Sequence, residues 1–163
     1  MERDGSVERV ALGGTFDPLH DGHRALFFRA FMLGDVTVGL TTDAFAARIR
    51  PDQEADVDPY GTRLATLDRE LRAWADRRAR CYEIRPLRVP TGIAHEPQFD
   101  SLVVSPETEP GGERINDLRR DRGIEPLRIE VVEHVRAADG DIISSTRIRA
   151  GEIDEHGNLL PTA

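Results

Sequence analysis

The sequence predicts an α/β domain, with one mainly parallel sheet flanked by helices. Short apolar runs alternate with amphipathic stretches of helical period along the whole chain. No segment repeats, and neither a low-complexity stretch nor an interdomain linker is visible. At 163 residues the chain is also about one domain long.

Val7 to Leu12 is an apolar run closed by Gly13-Gly14, a first strand and its turn. Asp21 to Leu33 places Leu26, Phe27, Ala30 and Leu33 at helical spacing. Gly34-Asp35 punctuates before a second strand, Val36 to Leu40, and Thr42 to Arg50 reads as a short helix capped by Thr42 or Asp43. The acidic, proline-bounded stretch from Pro51 to Pro59 reads as a solvated loop. Tyr60 to Arg78, with Leu64, Leu67, Leu71 and Trp74 on one face, is the clearest helix. Tyr82 to Leu87 and Leu102 to Val104 are short strands on either side of a loop, Arg88 to Gln98. Gly111-Gly112 precedes a helix through Ile115, Leu118 and Arg119 that stops near Gly123. Leu127 to Val132 is the last strand, and Ser144-Ser145 caps a final short helix through Arg149. The expected domain spans residues 1–163, with a core from about 7 to 150 and a polar, loosely held tail from Gly151 to Ala163.

Charge excludes some function classes. Acidic residues number 30 and basic residues 22, a net −8. Such a chain repels nucleic acid and anionic membrane, and 6% aromatics offers few stacking platforms. No apolar run approaches the roughly 20 residues of a membrane span, and no basic-then-apolar secretory pattern opens the sequence. The single cysteine, Cys81, excludes an internal disulfide framework and a multi-cysteine zinc site. It reads as a buried, inert thiol, and the expected location is the cytoplasm. All the basic residues are arginines, which fits either high-GC codon usage or adaptation to high salt. Any cationic phosphate contact must therefore come from Arg or His.

Two stretches carry chemistry. Residues 13 to 23, GGTFDPLHDGH, leave a strand and enter a helix. Gly13 and Gly14 allow close backbone approach, and the free amides and positive dipole end of the helix favour a phosphate. His20 and His23 flank that point as H-x-G-H, where ring N–H groups can stabilise charge on a phosphoryl group. Partners for a zinc site on this pair are absent nearby, so no metal ligands are assigned. Ile143 to Arg149, ISSTRIR, places Ser144, Ser145 and Thr146 at a helix start, with Arg147 one turn in. His95, His134 and His156 have no partner pattern, and Trp74 reads as core.

Together, GGTFDPLHDGH, VVSPET, GGERIN and ISSTRIR resemble the phosphopantetheine adenylyltransferases of the archaeal and eukaryotic type. The likeness runs from Val7 to about Gly157. It implies a single Rossmann-like nucleotidyltransferase domain. The implied reaction joins the adenylyl group of ATP to 4′-phosphopantetheine, giving dephospho-coenzyme A and pyrophosphate. The resemblance makes His23, His20 and Thr15 catalytic. It implies an ATP site of Gly13, Gly14, Thr15, Phe16, His20, His23, Ser105, Glu107, Thr108, Ser144, Ser145, Thr146 and Arg147. The acceptor site would hold Thr15, Asn116 and Arg119. A lysine that this family commonly places after the second strand is missing; Arg48 is the expected substitute, with Arg50 as the other choice. Mg2+ would arrive with ATP, and the resemblance leans toward a monomer. Two other readings stay open: a related adenylyltransferase using nicotinamide mononucleotide, or a non-catalytic adenine-nucleotide sensor.

Overall fold

The computed structural model describes residues 7–161. In chain order the elements are β1 (Glu8–Gly14), α1 (Asp21–Leu33), β2 (Gly34–Thr41), α2 (Asp43–Ile49), a 3-10 segment (Pro51–Asp56), α3 (Tyr60–Arg78), β3 (Tyr82–Leu87), β4 (Ser101–Val104), α4 (Glu109–Asp121), β5 (Arg128–Val131) and α5 (Ser145–Arg149). The strands form one five-stranded sheet in the order β3-β2-β1-β4-β5, and every pairing is parallel. The chain winds outward from β1 through β2 to β3, then returns to the other side of β1 as β4. That reversal opens a crevice at the carboxyl ends of β1 and β4, where sheets of this kind bind ligands.

Strand alternation divides the core between the two faces. Val10 and Leu12 of β1 join Val36, Val38, Leu40 and Val103 beneath α1 and α3, with Phe27, Phe31, Leu67 and Leu71 fully buried there. Ala11, Leu102 and Val104 face the other way, onto Ile115 of α4 and Ile93, Ala94 and Phe99 of the loop before β4.

The structure departs from the expected elements in six places. The expected loop from Pro51 to Pro59 opens with a 3-10 turn over Pro51–Asp56. Gly13-Gly14 is still strand, and Gly111-Gly112 lies inside α4. No punctuation separates α1 from β2: Gly34 is both the helix cap and the first strand residue. A Cβ at Gly34 would lie 1.9 Å from the Glu8 carbonyl oxygen, so only glycine permits that junction. Cys81 is exposed at the amino end of β3, its backbone N–H bonded to Asp35 Oδ1. The tail is not loose up to Pro161. Ile153 is fully buried against Ala137 and Ile143, and an antiparallel bridge joins Ile153 to Leu159. The Asp21 N–H donates to the Glu155 carbonyl, and Arg24 pairs with Asp21, Glu70 and Glu155. The polar composition of this segment concealed one apolar anchor and several ionic ones.

Candidate active site

A cavity of about 330 Å3 fills the crevice. Its walls are the β1–α1 turn from Gly13 to Asp17, His20, Gly22 and His23, then Ser105, Glu107 and Thr108 after β4, the stretch from Val132 to Val135, and the start of α5. A second, largely apolar groove of about 600 Å3 lies beside it, between Thr41, Phe45, Leu87, the loop from Pro90 to Ala94, and Arg114 and Ile115 of α4. The two share Gly13, Gly14, Ile49, Val103, Val104, Glu107 and Thr108. Two ligands in these spaces would meet over the end of β1.

The histidine pair is built by the capping of α1. His20 is the N-cap, and its Nδ1 accepts the Gly22 N–H at 3.0 Å. His23, at the third helical position, accepts the His20 N–H on its own Nδ1 at 3.2 Å. The two rings thus perform the reciprocal bonding of a capping box and stack with centroids 3.7 Å apart. Burial, followed by the nearby Arg24 charge, pushes the His20 pKa down from 6.5 to about 4. Burial, then its neighbours His20 and Arg24, holds His23 well below the usual range. Both rings are therefore neutral at pH 7. With Nδ1 accepting, the ring proton sits on Nε2, and each residue offers the cavity an N–H dipole rather than a cation. Gly22 is needed here because a Cβ would lie 2.8 Å from the His20 ring.

The remaining expected site residues divide. Thr15, Phe16, Ser105, Glu107, Thr108, Ser144, Ser145 and Thr146 line the cavity. Ser144 caps α5 by accepting the Arg147 N–H at 3.2 Å, and the Ser145 hydroxyl donates to the Pro18 carbonyl. Ser105 and Thr108 bond to one another across the turn entering α4.

Four assignments change. Arg147 is turned away from the cavity, ion-paired with Asp139 at 2.5 Å and Glu152 at 3.4 Å. Arg149, two residues on, lines it, with Nη2 bonded to the Asp17 carbonyl. Arg48 donates to the Arg88 carbonyl and lies over the Phe45 ring, lining neither space, whereas Arg50 lines the first. Asn116 is buried, its amide exchanging bonds with the Leu127 backbone. Arg119 is likewise buried, donating to the carbonyls of Ala94, Glu96, Phe99 and Glu125. Both brace the loops around β4 and have no reach into the groove. Among the residues the sequence reading passed over, Arg149 was signalled by its place at the end of the serine-threonine motif. His134 lines the cavity too, yet no sequence pattern marked it.

A parallel sheet in the order β3-β2-β1-β4-β5, with a histidine pair and a helix start lining the crevice at its carboxyl edge, is a nucleotidyltransferase-like α/β fold. Residues 11–151 match the cytidylyltransferase-like family. The chain is 42% identical over 160 residues to the phosphopantetheine adenylyltransferase of Methanosarcina mazei, covering 96% of this chain and all of that one. It is 44% identical over 151 residues to the enzyme of the same name from Methanopyrus kandleri, covering 90% and 91%. A crystal structure of an Archaeoglobus fulgidus protein of unknown function superposes with a TM-score of 0.64 at 35% identity, covering 76% of this chain and 88% of that one. The chain belongs to the phosphopantetheine adenylyltransferases of the archaeal type, within the cytidylyltransferase-like family.

Proposed function

We infer that this protein transfers the adenylyl group of ATP to 4′-phosphopantetheine, releasing pyrophosphate and forming dephospho-coenzyme A for coenzyme A biosynthesis. The observation that carries the reading is near-full-length identity of about 42% to enzymes of that name. The paired spaces meeting at Gly13-Gly14 suit it, the second more apolar than the first.

In the proposed reaction a phosphate oxygen of the acceptor attacks the α-phosphorus of ATP in line. A new P–O bond forms as the bond to the bridging oxygen of pyrophosphate breaks, and the electron pair leaves with pyrophosphate. No protein nucleophile takes part, so the protein contributes positioning and stabilisation of developing charge. His23 Nε2–H donates to the α-phosphate in the transition state and His20 Nε2–H to the departing phosphates. Being neutral, the rings carry no counter-charge, so the cationic share falls to arginine. Arg149, with Ser144, Ser145 and Thr146, receives the triphosphate. Ser105, Glu107 and Thr108 border the nucleotide, and Thr15 orients the attacking phosphate. Arg50 stands in for the lysine of the family pattern. Among the described residues no three His, Cys, Asp or Glu side chains gather to hold a metal. Magnesium would enter as part of the ATP substrate, as the resemblance to the family implies. In this reading the chain works as one domain and as a monomer in the cytoplasm, as the family resemblance implies. No helix among the described residues is long and apolar enough to cross a membrane.

Pyrophosphate release from MgATP tests the reading, with phosphopantetheine or nicotinamide mononucleotide as acceptor. Turnover with phosphopantetheine alone is expected. Turnover with the mononucleotide alone would overturn the substrate, and ATP binding without turnover on either would overturn catalysis.

A further inference from the structure

Arg63 is the largest fully buried polar side chain near the site, and the reaction described above makes no use of it. It sits in α3 on the buried row of residues 63, 67, 71 and 75. Its Nε donates to the Asp58 carbonyl at 2.8 Å and its Nη2 to Asp43 Oδ1 at 3.0 Å. Nη1 reaches Thr41 Oγ1 at 3.2 Å and the Thr15 carbonyl at 3.4 Å. Thr41 Oγ1 in turn lies 3.0 Å from Thr15 Oγ1. The parallel register sets this up: Gly14 pairs with Leu40, so Thr15, just past β1, and Thr41, the last residue of β2, meet at the sheet's carboxyl edge.

The order of donors follows from chemistry. A guanidinium can only donate, so Thr41 must accept from Arg63. Thr41 is 1% exposed, and its own hydroxyl proton has one acceptor within the described contacts, Thr15 Oγ1. A buried hydroxyl proton without an acceptor would be costly. Thr41 therefore donates to Thr15, and the Thr15 proton is left for the crevice. Thr41 also lines the apolar groove, while Thr15 lines the cavity beside it.

We propose that Arg63 and Thr41 are positioning residues, a buried relay Arg63→Thr41→Thr15 that presents the Thr15 hydroxyl as a fixed donor to the phosphate of the acceptor. The proposal rests on the reading of this crevice as the transfer site. Thr15 lines the cavity read as the ATP site, so the predicted asymmetry between the two substrates is one of degree: the hydroxyl at the end of the relay goes to the acceptor phosphate, and the KM for phosphopantetheine moves more than that for ATP.

The test is a mutant cycle read as separate KM values for phosphopantetheine and ATP, with Tm recorded for each variant. Thr41→Val removes the hydroxyl at nearly constant shape. It should raise the KM for phosphopantetheine about tenfold, the size of one hydrogen bond to a charged group, and leave the KM for ATP within about twofold. Thr41→Ser should restore the acceptor KM. Thr15→Val and Thr15→Val/Thr41→Val should be equally impaired, since one hydroxyl acts only through the other. Additive losses, or equal rises in both KM values, would overturn the relay. Arg63→Lys retains the charge but loses the fork, and should share the acceptor-selective defect; should it fail to fold, the threonine cycle still decides. If the unmodified protein turns over a different phosphate acceptor, the substrate reading falls. The same cycle run on that acceptor still supports or overturns the relay.

Discussion

His20 and His23 show how local structure sets chemistry at the level of single side chains. Capping α1 through Nδ1 fixes the tautomer, and burial fixes the charge. Nitrogen NMR shifts should report Nε2–H rings at both positions with no titration midpoint near 6.5; an ordinary midpoint would overturn the neutral-donor account. The linkage has a definite sign. The unfolded chain takes up a proton at His20 near pH 6.5, and the folded one does so only near 4. Stability is therefore full above pH 6.5 and falls as the pH drops toward 4, by up to about 3 kcal/mol from this residue. Urea midpoints at pH 7 and pH 4.5 measure it. His23→Ala should cut kcat by about 10²–10³-fold with a much smaller change in ATP affinity, and equal losses would remove the transition-state role. The motif spacing made the histidines legible in the sequence. It did not reveal that they are neutral, because that depends on burial and on Arg24, which only the folded chain assembles. Arg147 and Arg149 teach the same lesson: both follow the motif, but Asp139 and Glu152 claim the first. Arg149→Ala should raise the KM for ATP more than Arg147→Ala does; the reverse would return the phosphate to Arg147.

At the level of elements, α1 and α3 begin and end where the sequence placed them, since glycine and proline punctuate their ends: Gly34 follows α1 and Pro59 precedes α3. The internal wiring was less visible. The buried row of α3 starts with an arginine, and periodicity alone cannot distinguish a buried cation with four bonded partners from an exposed one. Asn116 and Arg119 were misread for the same reason. Their targets are backbone carbonyls and amides, which have no sequence signature. The tail was misread because a single apolar residue anchors it. Ile153→Ala should cost about 2–5 kcal/mol, measured by denaturant unfolding. It should also loosen the contact of Glu155 with the start of α1, where the Asp21 N–H is bonded. A loss under about 0.5 kcal/mol would mean that the segment docks without Ile153.

For the whole molecule, the α/β class and the crevice at the reversal of the sheet followed from alternation and from the position of the glycines, both long-range patterns that survive local errors. The net charge of −8 belongs to this scale as well. Exposed like charges repel at low ionic strength, and molar salt shortens the screening length to about 3 Å. Partly buried pairs such as Arg24 with Glu70 are screened less. The Tm should thus rise between 0.1 M and 2 M KCl, by about 2–4 °C for each kcal/mol of repulsion relieved. A falling Tm would show that ion pairing outweighs repulsion. Cys81 adds a practical consequence. It is the sole thiol, it is exposed, and it stands at the amino end of β3, whereas both ligand spaces open at the carboxyl ends of the strands. With no lysine side chain to compete, a maleimide dye or spin label would attach at one defined point remote from the reacting groups. The native chain is in that sense already prepared for single-molecule work, with no cysteine to add or remove.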